Sequence, residues 1–334
     1  MENVLSYLFY FFPKTFTANY FVINQIRDLI KSKIGSEFTL YDISAGAGSA
    51  TAAFLYILKK ISNEAKIKKH KRESKPHQIN LFLQDISPTF LEIAKALSEE
   101  ISKKLPYKVN ISTDVSDSAR IQFESKPDLA ISSFSVYEIF GDSKDEIKVW
   151  CHRILKSLKE DGIFILIEPA SKLRNSKIIM EIRDEFKEYI ISPCTHNKKC
   201  PLLNKDDWCH FGLRWNPPLY LTRAMNMIRL RVPDINFSYI ILSKNKVEKD
   251  ERFARIVSHR LEEKGKISFW TCEKGEKLKY HILKKNISEK NKDVEQIQMG
   301  DMVLIQDSTE KGKNEHEISS DSVLEIKGKL FDFV

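Results

Sequence analysis

Three of the chain's five cysteines fall within SPCTHNKKCPLLNKDDWCHFGLR, residues 192 to 214: Cys194, Cys200 and Cys209, accompanied by His196 and His210. Pro193 and Pro201 stand directly against cysteines. Thiols this close, in a chain that opens on no secretory signal, point to metal ligation, because a reducing compartment keeps structural disulfides from persisting. The spacings, with five and eight residues between successive cysteines, are not the CxxC knuckle of zinc ribbons and fingers. They also lack the tight CxxxCxxC triplet of radical enzymes. Soft thiolates with prolines beside them suit an iron–sulfur cluster, which usually takes four cysteines. Cys151 lies on one helical stripe with Ile147, Ile154, Leu155 and Leu158 and reads as a buried apolar residue, so Cys272 in SFWTCEKGEKL is the remaining fourth candidate. Zinc, with His196 or His210 as the fourth ligand, is the competing reading.

A second constellation lies in FTLYDISAGAGSATAAFLYILKKI, where a short apolar strand (Thr39 to Ile43) runs through a small-residue turn into an amphipathic helix. Strand, glycine turn and helix open a doubly wound α/β domain. Gly46 and Gly48 lack a Cβ, so a ligand can approach the backbone, and free N–H groups near Ser49 can hold an anionic group. A dinucleotide fingerprint needs a third glycine where this chain has Thr51, which argues against NAD. Asp42 followed by SAGAG resembles instead the first motif of class I methyltransferases that bind S-adenosylmethionine (SAM), with Ser44 at the first glycine position. That resemblance implies that Asp42 contacts the methionine ammonium and that Ser44, Gly46 and Gly48 form the turn admitting the cofactor.

Further βα units must position this turn. INLFLQDISPTFLEIAKALSEEI reads as a second strand ending in Asp85, placed to hydrogen-bond a ribose, and then a second helix. Its distance from the turn reflects an insertion at residues 63 to 78. VNIST ends at Asp114, set by analogy to meet an adenine amino group. A fourth strand begins at Asp128, and the helix DEIKVWCHRILKSLKEDG leads to a fifth, GIFILIEPA. Before them, residues 1 to 36 read as helical, with Phe21, Ile23, Ile26, Leu29 and Ile30 on one face. After the fifth strand come the helix KIIMEIRDEFKEYI, the cysteine segment and a later strand, FSYIILSKN. RFARIVS, KISFWTC, LKYHILKK and DMVLI then read as a small antiparallel meander or OB-like barrel.

The expected organisation is an N-terminal helical segment (1–36), a Rossmann-like methyltransferase domain (37–245) containing the cysteine-rich segment 192–214, a small basic β domain (246–306) and an acidic tail (307–334). Residues 244 to 292 hold 15 Lys or Arg against 8 Asp or Glu, residues 59 to 73 hold 7 against 2, and the stretch from Asp293 onward holds 4 against 10. Two basic segments suit a polyanion such as a folded RNA. The apolar opening VLSYLFYFF is ended by Pro13 and Lys14, too short to span a bilayer, and it is neither Arg-rich nor followed by a small-residue cleavage site. A cytoplasmic monomer with no membrane partner is expected.

The glycine turn, EPA after the fifth strand, SPCTHNKKCPL, DWCHF with a following Arg214, FSYIIL and the distant TC together resemble the methyltransferase-like assembly factors of the mitochondrial small ribosomal subunit and their bacterial homologues. The likeness runs from FPKTFTANY to about residue 306. It implies a class I methyltransferase fold with an added C-terminal region, a 4Fe-4S cluster on Cys194, Cys200, Cys209 and Cys272, and binding to small-subunit ribosomal RNA; a eukaryotic member would be mitochondrial. Ser44 and Ala170 stand where that family commonly has glycine.

Methyl transfer from a sulfonium is a displacement in which the protein mainly aligns the nucleophile, needing a base only if the acceptor carries a proton. Ser133, Tyr137 and Glu138 border the expected acceptor pocket, but SSFSVYE lacks the Asn or Asp before ProPro of base-amino methyltransferases. No catalytic residue is assigned. The readings are a SAM-dependent ribosomal RNA methyltransferase, an iron–sulfur RNA-binding assembly factor without catalysis, and a zinc-braced small-molecule methyltransferase.

Overall fold

The computed structural model describes residues 2–35, 37–67, 77–170, 173–203, 205, 207–229 and 234–331. The described residues fall into two compact units, one within Met1–Glu168, Arg214–Ile235 and Ser243–Asn245, the other within Pro169–Leu213, Asn236–Leu242 and Lys246–Val334. The basic insertion at 63 to 78 lies partly outside the described residues.

In the first unit, helices α1 (Glu2–Ser6), α2 (Phe12–Asn24) and α3 (Arg27–Lys33) precede the sheet, with a π-helical turn at Tyr7–Phe11. The chain breaks between α2 and α3, which buries Ile26 and Ile30 but leaves Leu29 facing solvent, 41% exposed, off the apolar stripe predicted for it. The sheet is built from β1 (Glu37–Ile43), β2 (Gln78–Asp85), β3 (Lys108–Val115), β4 (Leu129–Ser133) and β5 (Ile163–Pro169). All pair in parallel, in the order β3-β2-β1-β4-β5. Helix α4 (Ser49–Ile67) follows β1, α5 (Pro88–Ser102) follows β2, and α6 (Val136–Phe140) and α7 (Lys144–Ser157) lie between β4 and β5. Central strands of a parallel sheet are covered on both faces and therefore read as continuous apolar runs. In β1 every residue from Phe38 to Ile43 is buried, whereas the edge strand β3 is largely exposed. The order reverses between β1 and β4, the switch point where such sheets bind ligands beyond the strand ends. Cys151 on α7 is fully buried among the residues of its predicted stripe.

In the second unit, α8 (Leu173–Glu185) leads to β6 (Ile190–Ser192), and both β6 and β7 (Phe211–Leu213) pair with β8 (Ile235–Ser243). The remainder is one eight-stranded sheet of β9 (Phe253–Ile256), β10 (Leu261–Glu263), β11 (Lys266–Glu273), β12 (Glu276–Leu283), β13 (Met302–Gln306), β14 (Thr309–Gly312), β15 (Glu315–Ile318) and β16 (Val323–Gly328). Its order is β14-β15-β12-β11-β9-β13-β16, with β10 on β11. The parallel pairing of β12 with β15 departs from a simple meander, and strands after residue 306 complete it.

The acidic tail expected from residue 307 is therefore corrected. β15 and β16 supply Ile318 and Leu324 to the apolar cluster that holds Ile256, Phe269, Tyr280 and Val303. The charged residues between them hid this alternation. Folding also brings acids of that stretch against basic residues before it: Glu315 pairs with Lys279 at 3.2 Å and Asp321 with Lys290 at 3.7 Å. Each exposed pair contributes little stability, about 0–1 kcal/mol, but together they blunt the basic surface read from residues 244 to 292. The cysteine segment also groups with the C-terminal sheet, so Cys194, Cys200, Cys209 and Cys272 belong to one compact unit.

A chain stopped after Gln306 forfeits four fully or nearly buried side chains, Ile318, Leu324, Leu330 and Phe331, each worth about 1.5–3 kcal/mol of burial. Circular dichroism of that truncation is expected to show loss of β-signal and a melting point far below the full chain; an unchanged melting curve would restore the tail.

Candidate cofactor turn and four-cysteine centre

The turn after β1 is shaped by carboxylates. Asp42 is buried, and its Oδ2 accepts from the Thr51 backbone N–H at 3.0 Å and the Thr51 hydroxyl at 2.6 Å, tying the strand end to the first turn of α4. Burial lifts its pKa to about 6, the two Thr51 hydrogen bonds lower it, and nearby Asp85 raises it further. Asp85 accepts from the Gly46 N–H at 2.8 Å on Oδ2 and from the Ser87 N–H at 2.9 Å on Oδ1, so the second strand's acid holds the glycine turn directly.

The two glycines have different reasons. At Gly48 (φ +80°) an added Cβ would come within 2.9 Å of Ala94 Cβ, so glycine there lets α5 pack close. At Gly46 (φ +51°) it would meet only the Tyr7 hydroxyl, at 3.6 Å. Ser44 occupies the left-handed region at φ +56°, a strain of about 1–2 kcal/mol for a residue with a Cβ. Its Oγ lies 2.6 Å from Ser118 Oγ, which in turn donates to Gln84 Oε1 at 2.8 Å.

Asp114 does not join this cluster: it is exposed and accepts from Ser116 Oγ at 2.5 Å. The acid in the loop beyond β3 is Asp117, which accepts from the Ala119 N–H at 2.9 Å and so starts the short turn carrying Ser118. Tyr7 was missed from the sequence because it looked like one more aromatic in an apolar run. It packs against Phe90, ring centroids 5.0 Å apart, and its pKa is raised by burial and then by Glu138, Asp85 and Asp42. Tyr137 sits half-buried on α6, and Ser133 Oγ at the end of β4 is buried with no hydrogen-bond partner.

The four cysteines converge. Cys194, Cys200, Cys209 and Cys272 line a single cavity with Ile179, Met180, Arg183, His196 and Tyr239. Cys272 is fixed in β11, opposite Arg255 of β9 and Lys277 of β12. Cys209 precedes β7, its N–H on Met180 Sδ at 3.4 Å and its carbonyl accepting from Ser238 Oγ at 2.5 Å. The Cys200 N–H donates to Asp184 Oδ1 at 2.8 Å. Among the described residues no group of three or more His, Cys, Asp or Glu is arranged so that it could hold a metal ion.

Arg183, 4% exposed, is the hub. Its Nε donates to Cys194 Sγ at 3.2 Å, its Nη2 to the His196 carbonyl at 2.9 Å, and its Nη1 to Asp184 at 2.7 Å and to the Lys198 carbonyl. Nη2 also lies 3.3 Å from His196 Nδ1, which accepts from the Lys198 N–H at 3.2 Å. Two donors on Nδ1 leave the ring proton on Nε2, 3.4 Å from Cys272 Sγ. His196 thereby presents an N–H to the Cys272 sulfur. His210 Nδ1 lies against the Trp208 carbonyl at 3.2 Å, and His210 does not line the cavity. Burial raises the thiols of Cys209 and Cys272, and lifts Cys200 to about 11; mutual repulsion adds to each.

The chain matches, over residues 1–304, the family model described as mitochondrial small ribosomal subunit Rsm22. The protein belongs to the Rsm22 family. No curated protein matches it. Solved structures similar to this Rsm22-family chain include YjhP from E. coli (20% identity, 46% of this chain and 49% of that one, TM-score 0.30). Others are a putative class I SAM-dependent methyltransferase from Listeria monocytogenes (10%, 68% and 61%, 0.37) and the N-methyltransferase NodS from Bradyrhizobium japonicum (10%, 70% and 97%, 0.38). The chain spans less than two thirds of the length of the first solved structures it matches.

Glu168 closes β5 in this Rsm22-family sheet. It is buried, accepts from the Val136 N–H at 2.8 Å and the Ser135 N–H at 3.0 Å, and so caps α6. Ala170, at the family's glycine position, is buried and is not among the residues with left-handed φ, so its backbone does not require glycine.

Burial raises Glu168 from 4.5 to about 7, against the lowering effect of those N–H groups. Because the folded value lies above the unfolded one, its stabilisation is full below pH 4.5 and lost as pH rises through 7. Glu168→Gln keeps the acceptor and removes the titration. Its melting point is expected to exceed the wild type at pH 8, by the equivalent of about 3 kcal/mol, and to equal it at pH 4.5; equal curves at both pH values would refute the assignment.

Proposed function

We propose that this protein is a methyltransferase-like assembly factor of the small ribosomal subunit that holds SAM at the Asp42–Gly48 turn and a 4Fe-4S cluster on Cys194, Cys200, Cys209 and Cys272. The observation that carries the reading is the convergence of those four thiols in a chain matched by the Rsm22 family model.

The residues present fit both groups. At the turn, Asp42, Asp85 and Glu138 bring three carboxylates to the neighbourhood of the Tyr7 hydroxyl, a negative setting suited to a ligand bearing a sulfonium and an ammonium. Asp85 uses one lone pair of each oxygen on the turn and retains another for a ribose hydroxyl. SAM would supply an electrophilic methyl group; the chain's own part is to bind it, exclude water and orient the acceptor. At the cysteines, a buried guanidinium donates to Cys194 and an imidazole N–H lies against Cys272, contacts that metal-bound sulfurs would keep. A cluster would act there as a structural tie between the loop carrying Cys194 and Cys200 and strand β11.

The partner follows from the family rather than from surface charge, since acids after residue 307 pair with Lys279 and Lys290 of the basic segment. Small-subunit ribosomal RNA is the expected contact, in mitochondria for a eukaryotic member. One observation favours a factor without methyl transfer: Ser44 places a strained, hydrogen-bonded side chain where the methyltransferase pattern has glycine.

Anaerobic purification is expected to yield about four irons and four sulfides per chain with little zinc; stoichiometric zinc without sulfide would overturn the cluster. Calorimetry is expected to detect SAM binding to the loaded protein, weakened about tenfold in Asp85→Asn by loss of one charge-assisted hydrogen bond. No heat with wild type would sink the cofactor reading, leaving the assembly role to be judged by co-sedimentation with small subunits.

A further inference from the structure

Around the four-cysteine cavity the chain spends its buried cations with economy of direction. Arg183, Lys249 and Arg255 reach into the loop from three elements. Lys249 Nζ donates to the carbonyls of Ile191 (3.1 Å) and Cys194 (2.8 Å), and Arg255 Nε donates to that of Pro193 (2.7 Å). Those two groups end on backbone oxygen. Arg183 differs, because its Nε points at a sulfur, and so does the imidazole N–H of His196. The tautomer that places this proton is fixed by Arg183 and the Lys198 N–H, so the two donors form one connected device: guanidinium on Cys194, guanidinium on imidazole, imidazole on Cys272.

We infer that Arg183 and His196 are positioning residues that set the reduction potential of the metal centre, by hydrogen-bonding the sulfurs of Cys194 and Cys272 and placing a permanent positive charge beside them. This rests on the iron–sulfur reading above. The physical reason is that a reduced cluster carries one more negative charge than an oxidised one, on iron and sulfur alike. N–H groups aimed at sulfur, and a buried cation nearby, stabilise the more negative state more than the less negative one. An Arg that cannot lose its proton makes that bias constant with pH. His196 contributes a neutral donor, and no proton has to move.

The test is a redox titration of anaerobically purified full-length protein, followed by visible absorbance and electron paramagnetic resonance, with iron and sulfide measured on every sample. His196→Leu deletes the donor to Cys272 and leaves the His196 backbone carbonyl for Arg183; its potential is expected to move to a more negative value at unchanged iron content. His196→Gln, which restores a side-chain N–H, is expected to recover part of the shift. Arg183→Lys keeps the charge but loses the fork, and its shift is expected in the same direction. Loaded variants with the wild-type potential would overturn the inference while leaving the cluster in place. Wild type without iron and sulfide would overturn the cluster reading itself, and this proposal with it. Loss of iron in both His196→Leu and Arg183→Lys, with wild type loaded, would also overturn it, by assigning the pair to holding the loop alone.

Discussion

A loop that is folded inward without a strand partner must find donors for its carbonyl oxygens, because a buried unpaired carbonyl is costly. Between Ile191 and Lys198 that demand is met by side chains: Lys249 serves Ile191 and Cys194, Arg255 serves Pro193, and Arg183 serves His196 and Lys198. Cationic donors are long enough to reach and strong enough to hold. The consequence is a concentration of positive charge beside a cavity in which burial raises the thiols of Cys200, Cys209 and Cys272. An isolated buried cation is expensive, so the arrangement favours whatever makes the sulfurs anionic. Metal ligation deprotonates thiols outright, so the proposed cluster would couple its own binding to the order of the loop.

The first unit shows the opposite electrostatics for the opposite kind of guest. Its glycine turn is bounded by Asp42 and Asp85, and Glu138 adds to the same field. These acids are structural before they are anything else: Asp42 anchors the start of α4, and Asp85 holds the Gly46 N–H. Burial is the main cause of the raised pKa at Asp42, with Asp85 adding to it, and a cationic cofactor of the kind proposed would relieve both. Carboxylates are collected around one turn and cations around one loop, which suits the two guests proposed.

Much of this was legible in the chain. The central parallel strands were readable because buried parallel strands are apolar throughout, and each is followed by a helix or turn with its own stop signals. Cys151 was correctly read as buried, since period 3.6 places it among Ile147, Ile154 and Leu155. Illegibility had physical causes too. β15 and β16 carry one buried residue each, Ile318 and Leu324, among Glu, His and Lys, and composition outweighed pattern, so a sheet segment looked like a tail. Asp117 was passed over because Asp114 ends an apparent strand that in fact continues to Val115. Arg183 left a clue that was not used: it is a charged residue on the apolar stripe of α8, between Ile179 and Phe186, where only a buried partner would tolerate it.

The ties on the four cysteine segments bear on how freely the proposed centre could rearrange around a guest. Zinc sets each sulfur at about 2.3 Å from one ion, whereas a four-iron cluster takes one sulfur at each corner. Any large rearrangement of the cavity would strain those ties. Cys272 is held by the β-ladder on both flanks, Cys209 by Met180 and Ser238, Cys200 by Asp184, and the segment from Ile191 to Lys198 by the three cations. Each tie is modest, about 1 kcal/mol for a neutral hydrogen bond and up to about 3 for a charged one, but collapse would break several together. A frame that holds four sulfurs around a gap fits a guest that fills it.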